Sequence, residues 1–331
     1  MTAEGAILLG DCLERIAEAT AALGPFDLVY VDPPFAAGGT RSARLSGGLR
    51  SQGTAAYEDH FGGIDGFLDM MSPRLEAMYE SLSAPGSLWI HLDYRAVHDV
   101  KVLCDRLFGR VRFEGEIIWS PGNGGRRKHG PSVTHQTILV YSRSKDFHYV
   151  ADDPSLREPY ASTSQSMHFR LVDEAGRRFR ERVVGGKTYR YYADQGRKLG
   201  SVWSDLPSMR ANTPLREETT GYPTQKPLGL LDRIVRLATP LGGAVLDPMC
   251  GSGTTIAAAL LAGRRAIGID QSDVAVATAR RRWEKTVQSA ALAPENGGAN
   301  RVSHASGLAP DAGEEDARSA GRTMDRSGRG T

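Results

Sequence analysis

Phe26-Asp27-Leu28-Val29-Tyr30-Val31-Asp32-Pro33-Pro34-Phe35 limits the folds open to this chain more than any other stretch. Leu28 to Val31 is an apolar, β-rich run, long enough for one buried strand. Proline has no amide proton for a sheet ladder and pushes the residue before it into extended geometry, so the strand must stop at Asp32. A carboxylate, two proline carbonyls and an aromatic ring therefore follow the carboxyl end of a strand. In open α/β sheets ligands bind at that edge. The run also reads as a plain strand with a Pro-Pro turn, and taken alone it does not separate the two.

Bulk properties narrow the function classes. The chain has 331 residues and a net charge of only +2, so any nucleic-acid surface must come from local clustering. Cys12, Cys104 and Cys250 are isolated and lack metal-ligand spacing, which fits a reducing compartment and no metal site. Acidic Glu4, Asp11 and Glu14 break any signal-peptide pattern, and no apolar run reaches about eighteen residues. A cytoplasmic protein without a membrane partner is expected.

Along the chain, 6–9 reads as a strand and Cys12 to Ala22 as a helix with Asp11 at its N-cap. Residues 36–66 are rich in Gly, Ser and Arg and read as a long, mobile or disordered loop. Helical spacing follows over Phe67–Leu82 and Tyr94–Phe108, on either side of a buried strand, Ser87–Asp93. Phe113–Trp119 and Gln136–Tyr141 read as a closing antiparallel pair around a Gly/Pro/Arg loop. Together these predict an α/β fold, a mixed sheet with helices on both faces.

Between 170 and 198 nine Lys/Arg face four acids, a local +5, with Phe169, Phe179, Tyr189, Tyr191 and Tyr192 interleaved. That mixture suits phosphate contact and base stacking, or simply a solvated hairpin. Pro227 is expected at helix position N1, with an apolar face running to Pro240. Ala244–Asp247, the turn Pro248 to Thr255, helix Ile256–Ala262 and strand Ala266–Asp270 then form a βαβ unit. A last helix spans about Val274–Val287. Residues 288–331 have no aromatics and the composition of a disordered tail.

Gly251 and Gly253 allow ligand atoms close to the backbone, and Asp270 stands near the spacing of a ribose-binding acid. A P-loop needs Gly-Lys-Ser/Thr, but Thr254 follows Gly253. A dinucleotide site needs a third glycine where Ile256 stands. S-adenosylmethionine, with its amine and sulfonium, suits an acid at the first strand end and remains the third reading.

Val31-Asp32-Pro33-Pro34-Phe35, the stretch Thr219–Pro227 containing Tyr222-Pro223-Thr224-Gln225-Lys226-Pro227, and Asp247-Pro248-Met249-Cys250-Gly251-Ser252-Gly253-Thr254-Thr255 resemble three motifs of the DNA amino-methyltransferases. Their order, catalytic before cofactor motif, is similar to the circularly permuted beta class found in type II restriction–modification systems. Gly10-Asp11-Cys12 and Ser204-Asp205-Leu206-Pro207 also match that class, so the likeness covers roughly residues 6–287.

The resemblance implies a Rossmann-like, S-adenosylmethionine-dependent methyltransferase fold. In it 1–149 is the catalytic half, 150–220 a target-recognition insert and 221–287 the cofactor-binding half. It implies methylation of adenine N6 in double-stranded DNA after base flipping. Asp32 and the Pro33 carbonyl would accept the amino hydrogens, Pro34 would stiffen the turn and Phe35 would stack on the base. Many adenine enzymes have tyrosine at the Phe35 position. For the cofactor, Asp11 would serve the adenine and Asp270 the ribose. Asp247, Gly251, Gly253 and Thr254 would line the methionine end, Thr224 and Lys226 would stand near the carboxylate, and Cys12, Asp32, Pro248 and Ser252 would lie alongside. The class also implies a homodimer and a cognate restriction endonuclease as partners. Cytosine N4, an RNA or protein amide substrate, and a catalytically silent DNA-binding relative are the competing readings. Cys250, His91, Asp93, His129, His135, Trp119 and Trp203 are expected to be structural.

Overall fold

The computed structural model of the chain describes residues 5–34, 40–43, 54–58, 61–122, 127–209, 215 and 218–292. The first half contains β1 (Gly5–Leu9), α1 (Cys12–Ala22), β2 (Phe26–Val31), β3 (Thr40–Ala43), β4 (Thr54–Glu58), α2 (Ile64–Glu80), β5 (Leu82–Leu92), α3 (Val97–Phe108), β6 (Phe113–Trp119) and β7 (Gln136–Ser142). Next come α4 (Ser162–His168), β8 (Leu171–Val172), β9 (Arg178–Val184), β10 (Lys187–Tyr192) and β11 (Val202–Trp203). The chain then adds α5 (Leu228–Ala238), β12 (Ala244–Asp247), α6 (Thr254–Leu261), β13 (Arg265–Asp270) and α7 (Asp273–Leu292).

Eight strands form the main sheet in the order β1-β13-β12-β2-β5-β7-β6-β11. The first five are mutually parallel, and β2 lies fourth among these with β12 and β5 as neighbours. Only β7 is reversed: it runs antiparallel to both β5 and β6, while β11 runs parallel to β6.

The two-residue period of β2 divides the core. Val29 and Val31 face a cluster containing Ile16 and Ala19 of α1, Met71 and Leu75 of α2, and Val100 of α3. Leu28 and Tyr30 face the other side, with Leu230, Leu231 and Ile234 of α5 and Ile256 of α6. Phe26 lies with the first cluster although its parity matches Leu28. The pairing with β5 shifts between Phe26 and Leu28, which resets the alternation. Strand β5 begins at Leu82 rather than at the expected Ser87, and Pro85-Gly86 falls within this irregularity.

Several boundaries differ from expectation. The 36–66 stretch contains a two-stranded antiparallel pair, β3 with β4, and α2 already begins at Ile64. Pro227 occupies the N-cap of α5, one residue before N1. Helix α7 continues to Leu292, into the segment expected as tail; residues 293–331 lie outside the described residues. Residues 150–220 belong to the same compact unit, Met1–Gly297, as both flanking segments. A bridge between Glu158 and Arg197 closes the base of an excursion carrying β8, β9 and β10, and β11 beyond it rejoins the main sheet.

Candidate functional site

A row of acids follows from this topology. The five parallel strands end at the same edge, and each is followed or finished by an aspartate: Asp11 after β1, Asp270 in β13, Asp247 in β12, Asp32 after β2 and Asp93 after β5. Asp11 caps α1 by accepting from the Leu13 amide at 2.9 Å, and its other oxygen takes Arg74 Nη2 at 2.5 Å. Burial works against its charge, but Arg74 and the Leu13 amide outweigh burial and hold it below the ordinary carboxylate range. Asp93 pairs with Arg95.

The middle three acids are electrostatically strained. Burial raises Asp270, although the Ser272 and Gly251 amides each donate to it at 2.9 Å. Burial pushes Asp247 up to about 7, against hydrogen bonds from Thr255 and the Met249 amide, and the charges of Asp32 and Asp270 add to the rise. Asp32 is also raised by burial, with Lys226 opposing and Asp93 reinforcing the shift. Lys226 Nζ bonds Asp32 Oδ2, while Oδ1 is buried and has no hydrogen-bond partner among the described residues.

These acids surround a cavity of about 300 Å³. Its wall includes Asp32, Pro33 and Pro34, and also Asp11, Cys12, Thr224, Lys226, Asp247, Pro248, Gly251, Ser252, Thr254 and Asp270. Three segments far apart in sequence therefore meet at one sheet edge. Phe35 lies outside the described residues. Gly253 is not on the wall. Its backbone is left-handed at φ +73, and a Cβ there would lie 2.8 Å from Ala279 Cβ and 3.0 Å from Ala279 Cα, so this glycine seats α6 against α7.

The turn before α5 is built to aim Lys226. The Gln225 side-chain oxygen accepts from the Thr220 amide at 2.9 Å and its hydroxyl at 2.7 Å, and Gln225 Nε2 donates to the Glu218 carbonyl at 2.8 Å. Within this knot Thr224 takes φ 58, unusual for a β-branched residue and the kind of local strain that gathers at working sites. Gly251 accommodates Tyr222, whose Cε1 would stand 3.2 Å from an added Cβ.

Sequence reasoning missed several wall residues: Tyr30, Phe61, Met70, Arg74, Tyr222 and Leu231. Only Tyr222 carried a signal, as part of the motif. Tyr30 Oη bonds His91 Nδ1 at 2.8 Å in a fully buried pair. Burial, with Lys226 nearby, holds His91 well below its ordinary pKa, so the ring is neutral. Cys250 also faces the cavity, but burial pushes its thiol far above the range in which it ionises. Trp119 donates to the Leu206 carbonyl and Trp203 to the Gly200 carbonyl, each at 2.8 Å, as packing residues do. Asp205, in the Ser-Asp-Leu-Pro stretch, pairs with Arg233 of α5 rather than reaching the cavity. Among the described residues no group of three or more His, Cys, Asp or Glu could hold a metal, and no helix is long and apolar enough to cross a membrane.

A family model described as DNA methylase, of the N6/N4 type, matches residues 26–281. The chain belongs to the N6/N4 DNA methylase family. Asp32, Lys226 and the glycine turn lie within the matched span, whereas β1, Asp11 and Cys12 precede it. Among curated relatives, type II methyltransferase M.EcaI of Enterobacter cloacae is 28% identical over 297 residues, covering 77% of this chain and 64% of that enzyme. Type II methyltransferase M1.MboII of Moraxella bovis is 30% identical over 218 residues, or 65% of this chain and 78% of the relative. DNA adenine methyltransferase YhdJ of Escherichia coli (strain K12) is 25% identical over 80% of this chain and 77% of its own length. This chain thus spans a little under two thirds of the Enterobacter enzyme. The PvuII DNA methyltransferase, cytosine-N4-specific, shares the fold at a TM-score of 0.53 and 15% identity, covering 87% of this chain and 92% of that one.

Proposed function

We propose that this N6/N4 DNA methylase transfers a methyl group from S-adenosylmethionine to N6 of adenine in double-stranded DNA. The observation that carries the reading is Asp32: one oxygen held by Lys226, the other buried, unpartnered and followed by two prolines on a cavity wall. A buried acceptor without a donor costs on the order of 1–3 kcal/mol, a cost removed when an incoming N–H fills it.

The residues present fit the cofactor. Burial penalises the charge of Asp32, Asp247 and Asp270, and a bound cation would offset that penalty by stabilising their ionised forms. S-adenosylmethionine supplies a sulfonium-activated methyl group and a positive ammonium. Asp247, Ser252 and Thr254 would hold its amino-acid end and Asp270 its ribose. Asp11, whose oxygens already accept from Arg74 and the Leu13 amide, would present a neutralised ion pair at the adenine end.

The exocyclic amine of adenine is a poor nucleophile because its lone pair is delocalised into the ring. Asp32 Oδ1 accepts one amino hydrogen and the Pro33 carbonyl the other, which returns the lone pair to nitrogen. Pro33 and Pro34 carry no amide protons to compete for that position. Catalysis then comes from alignment and local electrostatics, the surplus proton of the methylated nitrogen passing to Asp32 Oδ1, with no covalent enzyme intermediate. A stacked base cannot reach the cavity, so the target must be flipped out of the duplex. The 150–220 segment would read the sequence, and the order of motifs supports the permuted beta class. A homodimer and a cognate endonuclease are the partners this class suggests.

Asp-Pro-Pro favours adenine, since the cytosine-N4 enzymes more often carry serine where Asp32 stands. The test is incubation with labelled cofactor and mixed-sequence duplex DNA, followed by digestion to nucleosides. N6-methyladenine is expected, with Asp32→Ala inactive but still binding cofactor. N4-methylcytosine overturns the base assignment, and label on RNA or protein alone overturns the substrate class.

A further inference from the structure

The small sheet β10-β9-β8 sorts its charges by face. Opposed residues on paired strands share a face, and successive residues alternate between faces. The register sets Arg180 against Tyr191, Arg182 against Tyr189 and Val184 against Lys187, and alternation adds Arg178 to that face. The opposite face carries Phe179 against Tyr192, Glu181 against Arg190 and Val183 against Thr188. On this second face the cation and the acid neutralise each other at 2.9 Å. On the first face the charged residues are Arg178, Arg180, Arg182 and Lys187, with no acid among them.

The difference extends to how these groups are held. The Arg180 guanidinium lies 5.5 Å from the Tyr191 ring centre and 5.2 Å from that of Phe169, so it is tied to the protein. Arg178, Arg182 and Lys187 are exposed and make no ion pair among the described residues, and Tyr189 is 47% exposed beside Arg182. A whole chain near neutrality has no need to segregate like charges on one side of one hairpin. The repulsion left among them is relieved further when an external anion binds. The arginines of β9 stand roughly 7 Å apart, twice the strand rise, and span roughly 14 Å. Over that length duplex DNA presents roughly eight charges.

We infer that the Arg178–Arg182–Lys187 face of this hairpin, and not the Glu181–Arg190 face, takes the phosphate backbone of duplex DNA. This rests on the DNA-methylating reading and names the surface that serves it. Arg182 and Lys187 make direct phosphate contacts, with Tyr189, opposite Arg182, as a hydroxyl donor, while Arg178 extends the track. Contacts of this kind position the duplex and carry no sequence information themselves.

The experiment measures the Kd of the full chain for a labelled mixed-sequence duplex of about three helical turns as a function of salt. Arg182→Gln/Lys187→Gln is expected to weaken binding about ten-fold or more near physiological salt. It should also lower the slope of log K against log salt by about 2, since each lost phosphate contact removes about 0.9. The decisive variant adds Val183→Lys/Thr188→Lys to that pair, restoring net charge on the other face of the same strands. Continued weak binding supports the assignment, and recovery to the parent affinity overturns it in favour of an unspecific charge effect. Unchanged affinity and slope in the first variant also overturn it, while methyl transfer by the parent would leave the enzymatic reading standing. A parent that binds cofactor but neither binds nor methylates the duplex overturns both. Cofactor affinity and melting temperature, unchanged in every variant, show that folding is intact.

Discussion

Asp32 and Lys226 are 194 residues apart in sequence and bonded in space, and their pairing is the first point at which this site can be broken. Lys226→Met leaves the buried carboxylate without its counter-charge, so Asp32 holds its proton to higher pH. The acid limb of kcat against pH is expected to move upward. At a pH below that limb the rate should fall about ten-fold for each unit of the movement, with Lys226→Arg restoring part of it. A second residue-scale prediction concerns Asp247. Raised to about 7, it is largely protonated at pH 6 and ionised at pH 8, and only the anion attracts a cationic ligand. Cofactor affinity should therefore increase from pH 6 to pH 8, with proton release near pH 6.5 detected as calorimetric heat that depends on the buffer. Asp247→Asn should flatten both dependences.

At the scale of elements, α6 is held where the glycine turn needs it by the absence of a side chain at Gly253. Gly253→Ala places a Cβ against backbone and side chain of Ala279 and forces a non-glycine residue to φ +73. A loss of about 1–3 kcal/mol in urea unfolding is expected. Weaker cofactor binding should accompany it, because Gly251, Ser252 and Thr254 share that turn. Both effects are expected although Gly253 is not on the cavity wall. Helix α5 works in a comparable way: its N-cap at Pro227 fixes where Lys226 leaves the turn, while Leu230 and Ile234 anchor the helix in the core.

At the scale of the whole molecule, gathering aspartates on one sheet edge trades stability for binding. The native state keeps a proton on Asp247 up to about pH 7, whereas an unfolded carboxyl loses it near 3.8. The native state thus binds more protons between these values, and unfolding free energy falls as pH rises through that window. Thermal melts of the ligand-free protein are expected to show lower stability at pH 7 than at pH 5 from this group, a difference that Asp247→Asn reduces. Saturating cofactor should reverse the trend, adding about 2.7 kcal/mol at one hundred times its Kd. Removing the cofactor by dialysis returns the lower melting temperature.

Local sequence determined much of this protein. The β-rich run ending in Asp-Pro-Pro, the Asp11 cap and the strand–glycine–helix–strand unit specify their own geometry through backbone sterics and periodicity, and they appear where they were read. Motif chemistry also marked out most of the cavity wall. What depends on distant parts of the chain was not legible. Strand order brings Asp11, Asp270, Asp247, Asp32 and Asp93 to one edge, and desolvation there, absent from any linear string, is what raises the central three. Arg74, Met70 and Tyr30 reach the cavity from elements whose sequence pattern announces only a core face. The basic stretch of 170–198 looked like a mixture of signs until the β9–β10 register divided it, because pairing alone decides which residues share a side.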